Sequence, residues 1–436
     1  MTREEALDIL FTGQNVFLTG AAGTGKTHVL NEYIGYLREN KIPTAVTAST
    51  GIAATHMGGR TVHSWSGIAK RKRLSEKELQ KLFYNDYTRE RITGARVLII
   101  DEISMLEARV LTLIDTVCKS VRGNARPFGG LQLVVSGDFF QLPPVPDKRE
   151  PPPEFAFHSQ SWDAAQFRVC YLEKQWRQED KDFLKVLNAI RDSQVTGDTI
   201  QALKTRHNQP IKTVERATQL YCRNDDVDSI NDRELERLTT EPHQYDMRSW
   251  GDSELVKMLR EDCLAPEELV LKEGALVMFV RNNPGEGYVN GTLGTVVGFE
   301  EDTEYPIIER SQGGSVVARE ARWTVEEDDK ILAWVDQIPL RLAWAITVHK
   351  SQGMTLDAAQ INLGRAFADG MGYVALSRVR RFEDMNLMGL NPKALKVSPE
   401  ITAFDAMLRE ESRRNQKELQ ENRKLYVSLR DDFLLR

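Results

Sequence analysis

Three groups of residues have types and spacings that could handle a chain of phosphates. The first is Gly20-Ala21-Ala22-Gly23-Thr24-Gly25-Lys26-Thr27. Gly20, Gly23 and Gly25 let the backbone curl until successive N–H groups, Thr24 among them, point inward at phosphate oxygens. Lys26 would reach the β- and γ-phosphates and Thr27 would hold Mg2+. The second group is Asp101-Glu102. Asp101 suits Mg2+, directly or through water, and Glu102 suits polarising an attacking water. The third is Gln141, which can touch both a γ-phosphate and that water and so report hydrolysis to the loop around it. The plainer alternatives are a glycine-rich turn and a strand end carrying solvated acids.

The elements that must position these residues can be read from the same stretches. Val16-Phe17-Leu18-Thr19 leads into the glycine loop as a strand, and a helical pattern runs on from His28 to Leu37. Strand, loop and helix is the context a P-loop needs, because the helix adds its positive N-terminal end. Val97-Leu98-Ile99-Ile100 suits a parallel strand buried on both faces, with the acid pair at its C-terminal edge, where open α/β sheets bind ligands. Leu131 to Ser136 repeats that pattern before Gly137 and Gln141, and Pro143-Pro144 stiffens the chain beyond the glutamine.

Composition narrows the class. A chain of 436 residues, 41% hydrophobic and 28% charged, has the balance of a globular protein large enough for several cores. No run of eighteen apolar residues appears, so no membrane helix is expected, and the acidic start at Glu4-Glu5 does not read as a secretory signal. A cytoplasmic setting is expected, or the nucleus or mitochondrion in a eukaryote. Four scattered cysteines read as buried thiols without a metal site. The net charge of −6 argues against a surface coated with nucleic acid but leaves room for a local basic channel.

Other stretches carry weaker signals. Ser49-Thr50-Gly51 comes after the strand Thr44–Ala48 and suits either close approach to a ligand backbone or a helix cap. Gly58 to Trp65 mixes Arg60, hydroxyls, His63 and an indole, as a single-strand platform would. Lys70 to Glu90 is charged and helical, and reads as a small insertion with either a solvated face or a nucleic-acid contact. A second α/β domain starts near Thr218, residues 240–265 read as loop and short helix, and closely spaced short strands from Leu271 suggest a small β-barrel with a hairpin at Asn290-Gly291. Thr347, His349, Lys350 and Ser351 offer hydroxyl, imidazole and ammonium groups to a phosphodiester backbone, and Gly353 and Thr355 can lie near the nucleotide. The tail from Glu400 reads as a long, largely exposed helix that folds back on the second domain or docks a partner.

Asp101-Glu102-Ile103-Ser104, Pro127-Phe128-Gly129-Gly130-Leu131-Gln132-Leu133 and Gly137-Asp138-Phe139-Phe140-Gln141-Leu142-Pro143-Pro144-Val145 together resemble the superfamily 1B DNA helicases of the petite-integration-frequency group, relatives of the RecD helicases. Ala48 to Ala54 and Gly59 to Trp65 match the family's segments that contact single strands. The resemblance implies an α/β fold with two RecA-like domains, 1–172 and 173–436. The first carries a wedge at about 66–92. The second carries an SH3-like barrel at about 271–337 and a helical tail at about 400–436.

It also implies that Arg177, otherwise an ordinary arginine before a helix, reaches the γ-phosphate, and that Arg378 is a second arginine finger supplied by domain two. Contacts to DNA are implied for Thr50, Gly51, His63, Phe128, Thr347, His349 and Lys350. The family's glutamine ahead of the P-loop strand has no match except Gln14, at the start of that strand, which leaves adenine selection open and points to a missing preceding segment.

The expected activity is an ATP- and Mg2+-dependent 5′→3′ DNA helicase, acting as a monomer on single strands and 5′-tailed duplex. G-quadruplexes and R-loops are further implied substrates, in replication, repair, recombination or telomere maintenance. Two other readings stay open: a translocase subunit of a larger recombination complex, and a P-loop switch without nucleic acid. Stimulation of ATP hydrolysis by oligo-dT separates the last from the others.

Overall fold

The computed structural model describes every residue except 69–70, 146–150, 179, 212–216, 312, 328–329 and 436, so Lys70 of the basic run lies outside the described residues. Contacts divide the chain into two units. The first comprises Met1–Thr205, Ala366–Phe382 and Asn391–Arg436; the second comprises Arg206–Arg365 and Glu383–Leu390. The expected boundary at 172/173 is not where the contacts break. The helix Lys181–Arg191 buries Phe183, Leu187 and Ile190 as part of the first unit, and so holds the segment after residue 172 to it.

The first unit is built on a parallel sheet of β1 (Val16–Gly20), β2 (Thr44–Ala48), β3 (Arg60–Thr61), β4 (Val97–Asp101), β5 (Gln132–Ser136) and β6 (Arg168–Leu172), in the order β3-β2-β4-β5-β1-β6. β1, β4 and β5 are buried along their whole length, which is why they read as unbroken apolar runs. The expected wedge is a pair of short helices, Glu76–Tyr84 and Asp86–Gly94. The first of these buries nothing and exposes Phe83 and Tyr84 in an edge-on pair.

The tail departs from expectation. The helix Pro399–Glu421 lies along β6, within the first unit, and buries Ile401, Leu408 and Leu419. β6 is an edge strand whose outer N–H and C=O groups need partners. The helix supplies them: Ser412 Oγ accepts the Tyr171 N–H at 3.0 Å, and Asn415 Nδ2 donates to the Val169 carbonyl at 3.1 Å. Arg168 pairs with Glu418 at 2.7 Å. The final helix, Arg423–Leu435, places Phe433 under the Arg96 guanidinium and against Gly13, where a Cβ would fall 2.3 Å from the ring. The charges of this tail are therefore the outer face of a packed helix. Asn415→Ala should leave the buried Val169 carbonyl unpaired and destabilise the protein by about 1–3 kcal/mol, read from urea denaturation.

The second unit has a parallel sheet of Ala345–Thr347, Thr218–Tyr221, Ala359–Leu363 and Met385–Leu390, in that order. Its small β region is a five-stranded antiparallel sheet from Leu276 to Leu342, joined in sequence by the hairpin Ala321–Glu327 and Lys330–Gln337. Gly291 has φ 89° in the turn between Leu276–Phe279 and Leu293–Phe299, which pair antiparallel as the Asn-Gly signal suggests.

Residues 240–265 hold more structure than expected. His243–Asp246 pairs with Glu268–Leu271, Arg248–Gly251 pairs with Lys330–Gln337, and Ser253–Asp262 is a helix. Those strands are mostly exposed and polar, so they carry no apolar alternation to read. No helix among the described residues is long and apolar enough to cross a membrane.

Candidate nucleotide site and DNA-facing segments

The loop after β1 has the geometry its glycines permit. Gly20, Gly23 and Gly25 take φ of 140°, 87° and 90°. A Cβ on Gly23 would lie 2.7 Å from Arg177 Cβ, so the loop also needs glycine for the chain laid over it. Thr24 donates its hydroxyl to the Ala21 carbonyl at 2.9 Å, tightening the turn. Lys26 opens the helix Lys26–Glu39 and folds over the loop, with Nζ 2.8 Å from the Gly20 carbonyl and 3.1 Å from that of Ala21. Burial pulls its pKa down, while Asp138, Glu102 and Asp101 oppose that shift. Thr27 stands exposed in the first turn.

Asp101 ends β4 and is 7% exposed. Burial, and next the neighbouring Glu102 charge, push its pKa up to about 7. Glu102 sits in the left-handed region at φ 53°, a strained backbone of the kind found where a side chain must be aimed. Gln141 lies just past β5, is 5% exposed, and its Oε1 has no hydrogen-bond partner among the described residues. A buried amide oxygen in that state calls for a donor, and a water would supply it.

Both arginines lie in the unit that holds the P-loop. The Trp176 N–H donates to the Gly23 carbonyl at 3.0 Å, which seats the Glu173–Gln178 segment on the loop. Arg177 Nη1 and Gln178 Nε2 both donate to the Ser377 carbonyl, at 3.2 and 3.1 Å. Arg378 is 1% exposed, with Nε on the Val374 carbonyl and Nη2 on Ser377 Oγ, each at 2.8 Å. Burial first, and repulsion from Arg177 second, pull Arg378 down to about 9. Two crowded guanidiniums beside a glycine cradle, both felt by the Glu102 charge, fit a Mg2+-bound triphosphate.

Sequence reasoning missed two contributors. The Ala22 N–H of the loop donates to the Tyr373 hydroxyl at 2.8 Å, so a phenol from the helix Met371–Leu376 touches the phosphate cradle. The Arg3 guanidinium packs where a Cβ of Gly25 would be and lies 4.1 Å from the Trp176 ring centre. Tyr373 stands in the same short block as Arg378, five residues ahead of it. Arg3 gives no local signal.

The DNA-facing candidates divide. Thr50 and His63 come after the C-terminal ends of neighbouring parallel strands, β2 and β3, paired Thr47 to Arg60 and Ala48 to Thr61. Thr50 Oγ1 accepts the Ala53 N–H at 3.3 Å, so it caps the helix Gly51–His56, and its half-buried position leaves a face open. Trp65, by contrast, is core. Phe128 is fully buried, with φ 50° and its N–H donated to Asp115 at 2.7 Å. Its ring has no face left for a base, and the expected DNA contact there is withdrawn. Its part is to anchor the Pro127–Gly130 turn against the helix Ala108–Arg122.

In the second unit Thr347 is 3% exposed and its Oγ1 accepts the Lys350 N–H at 3.3 Å. Its hydroxyl is used inside the turn, so the direct backbone contact expected of it is also withdrawn. His349 and Lys350 are half-buried on that turn, and Gly353 comes next at φ 81°. Burial lowers the pKa of His349. Burial, and then Arg341, bring Lys350 down to about 8.

Known proteins resemble this chain over most of its length. Residues 7–200 match the family model for PIF1-like helicases, and residues 254–299 match that for the 2B domain of the DNA helicase Pif1. The chain is 43% identical to the ATP-dependent DNA helicase Pif1 of Psychrobacter sp., over 94% of its own length and 71% of that protein. It is 38% identical to human ATP-dependent DNA helicase PIF1, again over 94% of its length but 64% of the relative. Among solved structures, the Pif1 helicase of Candida albicans superposes with a TM-score of 0.82 at 34% identity, covering 93% of this chain and 98% of that one. Bacteroides sp Pif1 in complex with ADP-AlF4 gives 0.76 at 30% identity, covering 94% and 96%. Bacteroides Pif1 bound to ssDNA gives 0.70 at 31%, covering 94% and 96%. The loop, the acid pair, the two arginines and these likenesses together place the chain in the Pif1-like family of ATP-dependent DNA helicases.

Proposed function

We propose that this chain hydrolyses ATP to move 5′→3′ along single-stranded DNA and to part the duplex ahead of it. The observation that supports the reading best is the convergence of Lys26, Asp101, Glu102, Arg177 and Arg378 around one glycine loop, with Gln141 buried beside them. Mg2+, held by Thr27 and Asp101, would offset charge on the β- and γ-phosphates. Gly20, Gly23, Thr24 and Gly25 cradle the phosphates through their N–H groups, with Lys26 bound to the terminal oxygens. Glu102 takes a proton from the attacking water, and Gln141 orients that water and registers the γ-phosphate. Arg177 and Arg378 meet the charge that spreads over the transferring group.

Thr50, Gly51 and His63 grip one stretch of strand, and His349 and Lys350 another. A change in the grip with nucleotide state advances the enzyme. The exposed pair Phe83 and Tyr84 on the 76–84 helix supports a wedge that stacks on the last base pair. We place the enzyme in the cytoplasm or nucleoid, or in the nucleus or mitochondrion of a eukaryote, acting as a monomer, with G-quadruplexes and R-loops among its substrates.

The test is a fluorescent fork with a 5′ tail beside one with a 3′ tail, together with ATP hydrolysis with and without oligo-dT. Unwinding of the 5′-tailed fork alone is the expected result. DNA-stimulated hydrolysis without unwinding would favour a translocase subunit of a larger assembly, and no stimulation would remove the motor.

Lys350 gives the DNA grip a pH dependence. A cation is needed at a phosphate, and a Lys held near 8 loses its charge as pH rises through that value. Affinity for oligo-dT at fixed ionic strength should fall between pH 7 and 9 by about threefold more in the parent than in Lys350→Arg, whose guanidinium stays charged. Fluorescence anisotropy measures it; equal slopes would remove Lys350 from the interface.

A further inference from the structure

Behind the Gln141 turn lies a buried group of charges that takes no direct part in the hydrolysis chemistry. Arg191, the last residue of the helix Lys181–Arg191, is 2% exposed. Its Nη2 donates to Asp138 Oδ1 at 3.2 Å and to Asp405 Oδ1 at 3.1 Å. The guanidinium also lies 4.1 Å from the centre of the Phe140 ring. Asp405, on the helix Pro399–Glu421, accepts from Tyr171 Oη at 2.8 Å and from Arg409 Nε at 2.7 Å. Asp138 in turn builds the turn that carries Gln141. Its Oδ1 accepts the Phe140 N–H at 3.2 Å, and its carbonyl accepts the Gln141 N–H at 2.9 Å. An unbroken line of bonds thus runs from the helix Pro399–Glu421 to the Gln141 backbone.

Stability alone does not account for the arrangement. Ion pairs taken out of water return little net stability, because desolvation consumes most of their attraction. What such a pair does well is to fix one geometry, since each partner is costly to leave unmatched. The far side of the turn is equally confined: a Cβ on Gly370 would lie 2.4 Å from the Phe140 carbonyl oxygen and 2.5 Å from that of Gln141. The turn is therefore held between Gly370 and Arg191, with little room to settle elsewhere.

We propose that Arg191 and Asp405 are positioning residues for Gln141, which makes the helix Pro399–Glu421 part of the hydrolysis machinery as well as the cover of β6. The proposal rests on the reading of Gln141 as the group that aligns the attacking water. Asp405→Asn removes one of the two anions that fix Arg191, Arg191 resettles against Asp138 alone, and the turn that carries the Gln141 amide loses its aim. The substrate pocket itself is unaltered, so turnover falls and ATP binding does not.

The experiment is steady-state, oligo-dT-stimulated ATP hydrolysis by the full chain carrying Asp405→Asn, Gln141→Ala, or both. Asp405→Asn should lower kcat about tenfold and Gln141→Ala about a hundredfold, the scale on which misplaced groups cost rate, with KM for ATP within about twofold of the parent. The double variant should match Gln141→Ala alone, because one substitution acts through the other. Tyr171→Phe, which removes a bond to Asp405 but keeps the ring beside Arg191 and both carboxylates that hold it, should lower the melting temperature and leave kcat in place. If Asp405→Asn does not fold, Arg191→Lys takes its place in the same cycle. Losses that multiply in the double variant, or an unchanged kcat in Asp405→Asn, overturn the proposal. Normal turnover by Gln141→Ala would instead remove the reading of Gln141, and the proposal with it.

Discussion

Arg378→Ala should bind nucleotide with affinity close to the parent and turn it over about 10^3–10^5-fold more slowly, the range over which arginine fingers act in P-loop enzymes. The reason is visible in its surroundings. Arg378 is enclosed, held by the Val374 carbonyl and the Ser377 hydroxyl, and pushed toward deprotonation by burial and by Arg177. A buried cation with that history gains most when negative charge grows beside it. That happens as the γ-phosphoryl group leaves, so the gain falls on the transition state rather than on bound ATP. Arg378→Lys should recover little, since an ammonium cannot spread two donors over the equatorial oxygens. Single-turnover hydrolysis beside binding of a fluorescent ATP analogue separates the two effects. Equal losses in binding and turnover would move Arg378 to ground-state binding.

Lys26→Ala is expected to abolish hydrolysis to within about 10^3-fold of background or below, and to weaken nucleotide binding as well. Two costs add here. The γ-phosphate loses its ammonium, and the acids beside it lose their counter-charge. Asp101 is already raised to about 7 by burial and by Glu102, and Lys26 is among the groups that hold it down. Without that ammonium, Asp101 gives up its proton less readily and would be a weaker partner for Mg2+. The double deficit distinguishes this variant from Arg378→Ala: KM for Mg-ATP should rise as kcat falls. Normal affinity for Mg-ATP in Lys26→Ala would show that the lysine serves only the chemical step.

How far the sequence reached depended on distance along the chain. Val16 to Thr27, Val97 to Glu102 and Gln132 to Gln141 each hold a strand and its candidate ligand groups within about a dozen residues. Buried parallel strands announce themselves as apolar runs, and ligands bind at the loops that leave their C-terminal ends. In the second unit the strand at Thr218–Tyr221 was legible for the same reason, whereas Ala345–Thr347 and Met385–Leu390 were not read as strands. The exposed strands His243–Asp246 and Arg248–Gly251 were not, because their polar residues pair with segments far along the chain and leave no alternation to see.

The amino-acid order alone determined that a glycine loop, an acid pair and Gln141 each follow the end of an apolar strand, since that much is written in short-range spacing. Only the tertiary structure decided which side chains share that space. It buried Phe128 and the Thr347 hydroxyl, brought Tyr373 onto the loop amide at Ala22, laid the tail along β6, and joined Asp405 through Arg191 to Asp138. Apart from the Thr347 turn, such contacts link residues tens to hundreds of positions apart. They are fixed by packing and by the need to pair every buried polar group, which no local pattern encodes.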